Sequence, residues 1–374
     1  MRIPVKIHRG LSCPHEYVNR TDEDLLKAIR TIRTRLGDQL TILGHHYQAD
    51  EIVALSNIVG DSFKLCRDAA AATARYIVFC GVRFMAESAR ILARPGQVVI
   101  HPEETAGCPM ADMAETTQVE EAWEILTRMN PERRIVPVAY MNSGAAIKAF
   151  CGRHGGSVCT SSNARRVLEW AWSKADPDGD EFVAPSNLVL FMPDEHLGRN
   201  TAHEMGVPAR EVVIWNPRYS EAHSRDERYS RAKMAVWKGF CYVHTRFRVE
   251  HVEQLRKTYP GIHVIVHPEC TREVVHAADS SGSTEAIIRK VLESKPGDII
   301  GVGTEINLVA RLAKQHPDRT IVPLTPSLCL NMAKITLSHV LWVLDNLGAA
   351  CAVEVDAQEA ESARQALQKM LDIG

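Results

Sequence analysis

The stretch VVIHPEETAGCPMADMAE, Val98 to Glu115, carries the reading of the fold. Its apolar start, Val98-Val99-Ile100, predicts a short buried strand. The chain then turns polar at His101, Pro102, Glu103 and Glu104, reaches Gly107-Cys108-Pro109, and resumes with a helical pattern. A cysteine just past the carboxyl end of a strand stands where open α/β sheets place their chemistry. One such cysteine says little, but the same arrangement recurs twice further along.

The chain has 374 residues, more than one typical domain, so two or three are expected. With 45% apolar and 24% charged residues it reads as an ordinary globular protein whose domains bury a core without staples. A net charge of -2 argues against nucleic acid or an acidic membrane surface as partner. Nothing resembles a signal peptide or a bilayer-spanning run, which makes the cytoplasm the expected location. In that reducing compartment the ten cysteines are not expected to pair as disulfides, and no CxxC occurs. Cys66 and Cys80 lie in apolar contexts and read as core; Cys13, Cys151, Cys159, Cys270 and Cys351 read as packing residues as well.

Residues 1–20 read as an irregular leader. Thr21-Asp22-Glu23-Asp24 caps a helix to about Leu36, its acids placed where the helix dipole favours them. Strand and helix then alternate, the pattern of a parallel α/β architecture. In a first block, strand Thr41 to Gly44 ends in His45-His46-Tyr47, Gly60-Asp61-Ser62 opens a helix, and strands at Tyr76 to Phe79 and Val98 to Ile100 precede Cys108. In a later block, strand His263 to Val266 ends in His267-Pro268-Glu269, Ser281-Gly282-Ser283-Thr284 opens a helix, and strands at Asp298 to Ile300 and Thr320 to Val322 precede Cys329. Ser62 to Cys108 spans 46 residues and so does Ser283 to Cys329; His45 to Cys108 spans 63 and His267 to Cys329 spans 62. A middle block matches with an insertion: strand Ile135 to Val138 ends in Tyr140-Met141-Asn142, Thr160-Ser161-Ser162-Asn163 opens a helix, and strands at Asn187 to Phe191 and Val212 to Ile214 follow. Its cysteine, Cys241, comes 80 residues after Ser161 because of extra sequence at 216–233. The expected fold is therefore α/β, three similar domains with short parallel sheets: 1–131, 132–260 with the insertion, and 261–374 with the C-terminal helices.

Three thiolates brought together from three such domains make a metal site, either zinc or an iron–sulfur cluster with one iron left without a protein ligand. At the polar strand ends, alternation puts His45 with Tyr47, Tyr140 with Asn142, and His267 with Glu269 on one side of an extended chain, and these are proton-transfer side chains. The helix openings at Ser62, Ser161, Ser283 and Thr284 offer free backbone N–H groups and hydroxyls, suited to a carboxylate or phosphate as well as to plain capping. The arginines of 216–233 read as a solvated loop ahead of the alternative, a mobile lid that attracts anions. Gly301-Val302-Gly303 lacks the third glycine of a dinucleotide fingerprint, and no Walker, HExxH or GxSxG motif occurs.

The motifs GHHYQADE (44–51), GDS (60–62), AGCPMAD (106–112), YMNSGAAIKA (140–149), TSSNA (160–164), WKGFCYVH (237–244), HPEC (267–270), SGST (281–284) and CLNMAKITL (329–337) resemble those of the quinolinate synthase family. The resemblance runs from about residue 40 to 345. It implies an enzyme of de novo NAD biosynthesis that condenses iminosuccinate (iminoaspartate) with dihydroxyacetone phosphate to quinolinate, releasing phosphate and water. It implies three α/β domains in pseudo-threefold arrangement around a [4Fe-4S] cluster held by Cys108, Cys241 and Cys329, with one iron open as a Lewis acid. It places substrate contacts on His45, Ser62, Tyr140, Met141, Asn142, Ser161, His267, Pro268, Glu269, Ser283 and Thr284, and proton transfer on Glu269, His45, His267 and Tyr47. An L-aspartate oxidase or aspartate dehydrogenase is the implied upstream supplier. Two departures stand out. Some members carry His directly after the second cysteine, where this chain has Tyr242, with His244 nearby. Some carry CxxCxxC at the third, where Cys329 stands alone and forms no disulfide within the motif. The competing readings are a non-catalytic iron–sulfur or zinc sensor and a zinc-dependent lyase on the same scaffold.

Overall fold

The computed structural model describes residues 13–173 and 187–374. The chain falls into two compact units. One holds Met1–Cys108, Glu305–Pro317 and Pro326–Asp356; the other holds Pro109–Thr304, Asp318–Thr325 and Ala357–Gly374. Of the expected leader, 1–12 lie outside the described residues, and His15–Val18 form one helical turn with Tyr17 buried.

In the first unit, strands β1 (Leu40–His45), β2 (Ile58–Gly60), β3 (Tyr76–Cys80) and β4 (Val98–Ile100) form a parallel sheet in the order β2-β1-β3-β4. Every side chain of β1 except Thr41 is buried, as a strand covered on both faces requires. Helix Asp22–Leu36 starts where Thr21 accepts a bond from the Asp24 N–H at 3.2 Å, the expected cap. Its apolar stripe, Leu25, Ile29 and Ile32, joins Ile42, Val78, Ile100, Val340 and Leu341 in one core. Each such aliphatic side chain contributes about 1.5–3 kcal/mol on full burial.

In the second unit, β5 (Ile135–Tyr140), β6 (Ser157–Cys159), β7 (Leu188–Met192), β8 (Val212–Trp215) and β9 (Met234–Trp237) form a parallel sheet in the order β6-β5-β7-β9-β8. Strands β10 (His263–Val266), β11 (Ser280–Ser281), β12 (Ile299–Gly303) and β13 (Thr320–Pro323) form a third, in the order β11-β10-β12-β13. The first and third sheets share one topology, second-first-third-fourth, so the repeat read from the offsets is real. The middle sheet corrects one detail. Val212 to Ile214 was expected to be the last strand before the cysteine, but β8 is an added edge strand, and β9 takes the place beside β7 and leads to Cys241. The run Met234-Ala235-Val236-Trp237, fully buried, is that last strand. The edge strands β2, β6 and β11, at two or three residues, carry no readable periodicity.

Segment 216–233 folds against β8. Tyr229 and His223 pack on Trp215, and the Tyr229 hydroxyl donates to the Ile214 carbonyl at 2.6 Å. Three of its arginines pair with acids of the same segment: Arg225 with Glu221, Arg228 with Asp226, Arg231 with Glu227. The C-terminal helix Ala357–Ile373 packs on helix Ala145–Arg153, where a Cβ on Gly152 would lie 1.8 Å from the Ser362 carbonyl oxygen. No helix among the described residues is long and apolar enough to cross a membrane.

Candidate active site

In the second unit the chemistry collects at the carboxyl ends of β5, β9, β10 and β12. His267 and Glu269 follow β10 and are almost wholly buried, as is His244, which follows β9 by seven residues. His244 Nδ1 lies 2.6 Å from Glu269 Oε2, and its Nε2 lies 3.2 Å from the Thr304 hydroxyl. Its ring stacks on that of His267, centroids 4.3 Å apart and planes at 17°. Tyr140, at the end of β5, donates a further hydrogen bond to Glu269. Burial alone would raise the Glu269 carboxyl, but the neighbouring His244 and His267 imidazoles and the bonds from His244 and Tyr140 outweigh it, holding the group below the usual carboxylate range. Burial, joined by repulsion from His244, lowers His267 to about 3 against the pull of Glu269, so it is neutral at pH 7.

The turn that presents Glu269 is gripped from behind. Asn200 donates to the carbonyls of Pro268 and Cys270 at 2.8 and 2.9 Å, and it sits on helix Glu195–Glu204, capped by Asp194. Asp194 is fully buried; desolvation first, and then the Glu269 charge, raise it well above the carboxylate range. Its backbone pairs with Gly239, two residues before Cys241. A Cβ on Gly239 would stand 2.3 Å from the Pro193 carbonyl oxygen, so this close approach requires glycine.

Met141 is buried, and its N–H donates to the Cys159 carbonyl at 2.7 Å. Tyr140 is level with Cys159 in register, which places Asn142 and Ser161 at neighbouring strand ends. Asn142 Oδ1 is buried without a hydrogen-bond partner among the described residues. Ser283 caps helix Thr284–Glu293, its hydroxyl accepting from the Ala286 N–H, and both Ser283 and Thr284 are buried. Helix Ala164–Trp172 starts later than expected: Asn163 accepts from the Thr160 N–H instead, and Ser161 stays half-buried ahead of it.

In the first unit, His45 ends β1 and Tyr47 follows, their rings edge to face at 4.5 Å. The Tyr47 N–H donates to His45 Nδ1 at 3.1 Å, and the Glu269 N–H donates to His267 Nδ1 at 3.4 Å. Two equivalent strand ends thus fold back in the same way, Nδ1 of each ring accepting a backbone N–H and Nε2 being the nitrogen that bears a proton. His45 is level with Gly60 in register, which places Ser62 at the adjacent helix opening; Asp61, rather than Ser62, supplies the cap.

Of the ten cysteines, Cys108, Cys241 and Cys329 are half-exposed and the other seven are buried. Burial pushes the Cys80 and Cys151 thiols up to about 12, and Cys159 and Cys270 also stand well above the thiol range. Exposure thus sets Cys108, Cys241 and Cys329 apart from the other seven. Cys241, His244 and Glu269 place ligand atoms within 4.8 Å of one another. The 2.6 Å separation of the His244 and Glu269 atoms is a hydrogen-bond distance, shorter than two donors around one cation adopt, so this pair holds a proton. His244, Thr304, Asp194 and Asn200 are residues that sequence reasoning did not assign. Only His244 left a signal, three positions past the cysteine in WKGFCYVH; the others are assembled by the fold.

Buried acid–base groups at the strand ends of a parallel α/β scaffold, beside the half-exposed Cys241 thiol, define an enzyme site. Residues 27–372 match the family described as Quinolinate synthetase A protein. The chain is 47% identical over 371 residues to the quinolinate synthase of Nocardioides sp., covering 97% of this chain and 93% of that protein. It is 46% identical over 373 residues to that of Streptomyces coelicolor, covering 97% and 92%, and 45% identical over 372 residues to that of Halalkalibacterium halodurans, covering 98% of each. The chain belongs to the quinolinate synthase family and is an enzyme.

Proposed function

We propose that this enzyme condenses iminosuccinate with dihydroxyacetone phosphate to quinolinate, releasing phosphate and water, in de novo NAD biosynthesis. The observation that carries the reading is the buried His244–Glu269 pair against neutral His267 and Tyr140. Building a pyridine ring from these precursors forms one C–C and one C–N bond and expels oxygen as phosphate and water, so protons must be moved at several positions. Glu269, kept ionised, takes a proton; Tyr140 and the His267 Nε2–H donate. His45 and Tyr47 carry the same chemistry on the other block, and Ser62, Asn142, Ser161, Ser283 and Thr284 hold the carboxylates and phosphate through hydroxyls, amide and helix N-termini. The buried acceptor Asn142 Oδ1, unpartnered among the described residues, suits a substrate donor.

Cys108, Cys241 and Cys329 are the residues that would hold a [4Fe-4S] cluster, and their exposure among otherwise buried cysteines fits that role. When bound, such a cluster would supply Lewis acidity at the iron that no cysteine holds, the chemistry that loss of a hydroxyl as water calls for. The proposed domains remain 1–131, 132–260 and 261–374. Anaerobic purification tests the cofactor: a brown protein with broad visible absorption is expected, whereas a colourless protein with bound zinc overturns it. Quinolinate formed from both substrates together, and from neither alone, tests the reaction.

A further inference from the structure

We infer that Glu305 is a positioning residue that ties the Cys329 loop to the His45–Asp50 turn through a single helix. The inference rests on the reading of Cys329 as a ligand and His45 and Tyr47 as substrate groups. Glu305 is fully buried, and nothing in its sequence context, Thr304-Glu305-Ile306-Asn307, marks it out. One carboxylate oxygen, Oε2, accepts from the Asn307 N–H at 2.8 Å and so caps helix Ile306–Gln315. The other, Oε1, accepts from the Cys329 N–H at 3.4 Å. Beside it the Ile306 N–H donates to the Ser327 carbonyl at 2.9 Å, so the cysteine loop is held to the first turn of this helix at two points.

The same helix holds the turn after β1. Asn307 Nδ2 donates to the Tyr47 carbonyl at 3.0 Å. One turn on, Arg311 donates to the carbonyls of His46 and Gln48 and to the Asp50 carboxylate. Gln48 closes the loop, its Nε2 donating to the Met332 carbonyl at 3.1 Å, three residues past Cys329. The thiol and the strand-end His45–Tyr47 pair are thus referenced to one rigid element. Glu305 is the only member of the set that touches both the helix start and the cysteine's own backbone. Two bonds from one carboxylate fix a loop more narrowly than either would alone, because their directions differ.

The test reads thiol chemistry, without activity. In the full-length chain freed of metal by chelator, the rate of Cys329 alkylation by iodoacetamide is measured by peptide mass spectrometry, with Cys108 and Cys241 as internal references. Glu305→Ala is expected to speed Cys329 about fivefold or more and to leave the references within about twofold, the size of effect one lost hydrogen bond allows. Glu305→Gln keeps an acceptor for the Cys329 N–H and is expected to stay within about twofold, which separates the tether from the carboxylate charge. An unchanged Cys329 rate in Glu305→Ala, an equal rise at Cys108, or an equal rise in Glu305→Gln overturns the inference. In the unsubstituted protein, hydrogen exchange at the Cys329 amide is expected to be slowed at least about tenfold against an unstructured reference; unprotected exchange overturns it without any variant. Should the unsubstituted protein bind no iron, the cluster reading fails while these rates still decide the role of Glu305.

Discussion

His244 and Glu269, 25 positions apart in sequence, share a 2.6 Å contact in which both side chains are 2% exposed. A carboxylate so enclosed stays ionised because hydrogen bonds from His244 and Tyr140 offset its burial, which makes it a base ready to take a proton. Glu269→Gln keeps the shape and removes the base. Its kcat is expected to fall by about 10²–10⁴-fold at matched iron content, the range general-base removal produces. Full turnover by that variant with its metal intact would remove Glu269 from the mechanism.

The cysteines separate by exposure, and their variants should separate in the same way. Serine at Cys108, Cys241 or Cys329 is expected to abolish bound iron and sulfide together with activity, since each removes one thiolate. Cys66 is buried in helix Ser62–Ala71, and Cys66→Ala is expected to keep both. Iron and sulfide per chain after anaerobic reconstitution provide the measurement. Retention of a full complement in any of the three serine variants counts against that ligand.

The sheets were legible because their central strands are apolar runs whose polar ends repeat at equal offsets. Ser62 to Cys108 and Ser283 to Cys329 kept their 46-residue spacing because neither connection carries an insertion. The middle block was misjudged at β9, where an added edge strand and two short helices separate a four-residue run from its equivalents. At the site, the polar strand ends were legible one by one, as types of side chain at the end of a strand. Their partners were not. Thr304, Asp194 and Asn200 reach the His244–Glu269 pair, and Glu305 the Cys329 loop, through register and helix packing, and a single sequence holds no record of which loops meet.

His101, in the stretch that marks the first cysteine, is a structural lock rather than a site residue. It is buried, its Nε2–H donates to the Gly81 carbonyl at 2.8 Å, and burial lowers it to about 4 despite that bond. The unfolded chain binds its proton near pH 6.5, so between about pH 4 and pH 6.5 the unfolded state holds more protons and stability rises with pH, by about 1.4 kcal/mol per unit for this one group. His267, lowered to about 3, acts with the same sign over the same window. Glu269, held low, contributes stability that is present above the ordinary carboxylate range and is lost as pH falls through its own lowered value. Urea midpoints across this range should therefore fall steadily on acidification. His101→Gln, which can still donate to Gly81 but takes up no proton, is expected to flatten that slope. Identical slopes in the two proteins would contradict the assignment.

Gly239 concerns how Cys241 is aimed. Its backbone runs against the Pro193–Asp194 segment, with the Glu195 N–H donating to its carbonyl at 2.9 Å. A methyl group there meets the Pro193 backbone oxygen at 2.3 Å, a clash that moving the nearby Met113 side chain does not relieve. Overpacking of this kind costs about 1–3 kcal/mol. The strain falls between the cap of the helix that carries Asn200 and the loop that carries Cys241. Gly239→Ala is thus expected to lower the melting temperature and to loosen both Glu269 and Cys241, seen as faster Cys241 alkylation with Cys329 unchanged. Gly96→Ala provides the contrast: no atom lies within 4 Å of its added Cβ, but its φ of +84° is strained for alanine. It should lose stability while leaving the Cys241 rate alone. If Gly239→Ala matched it in that respect, the close approach at Gly239 would have no part in placing the thiol.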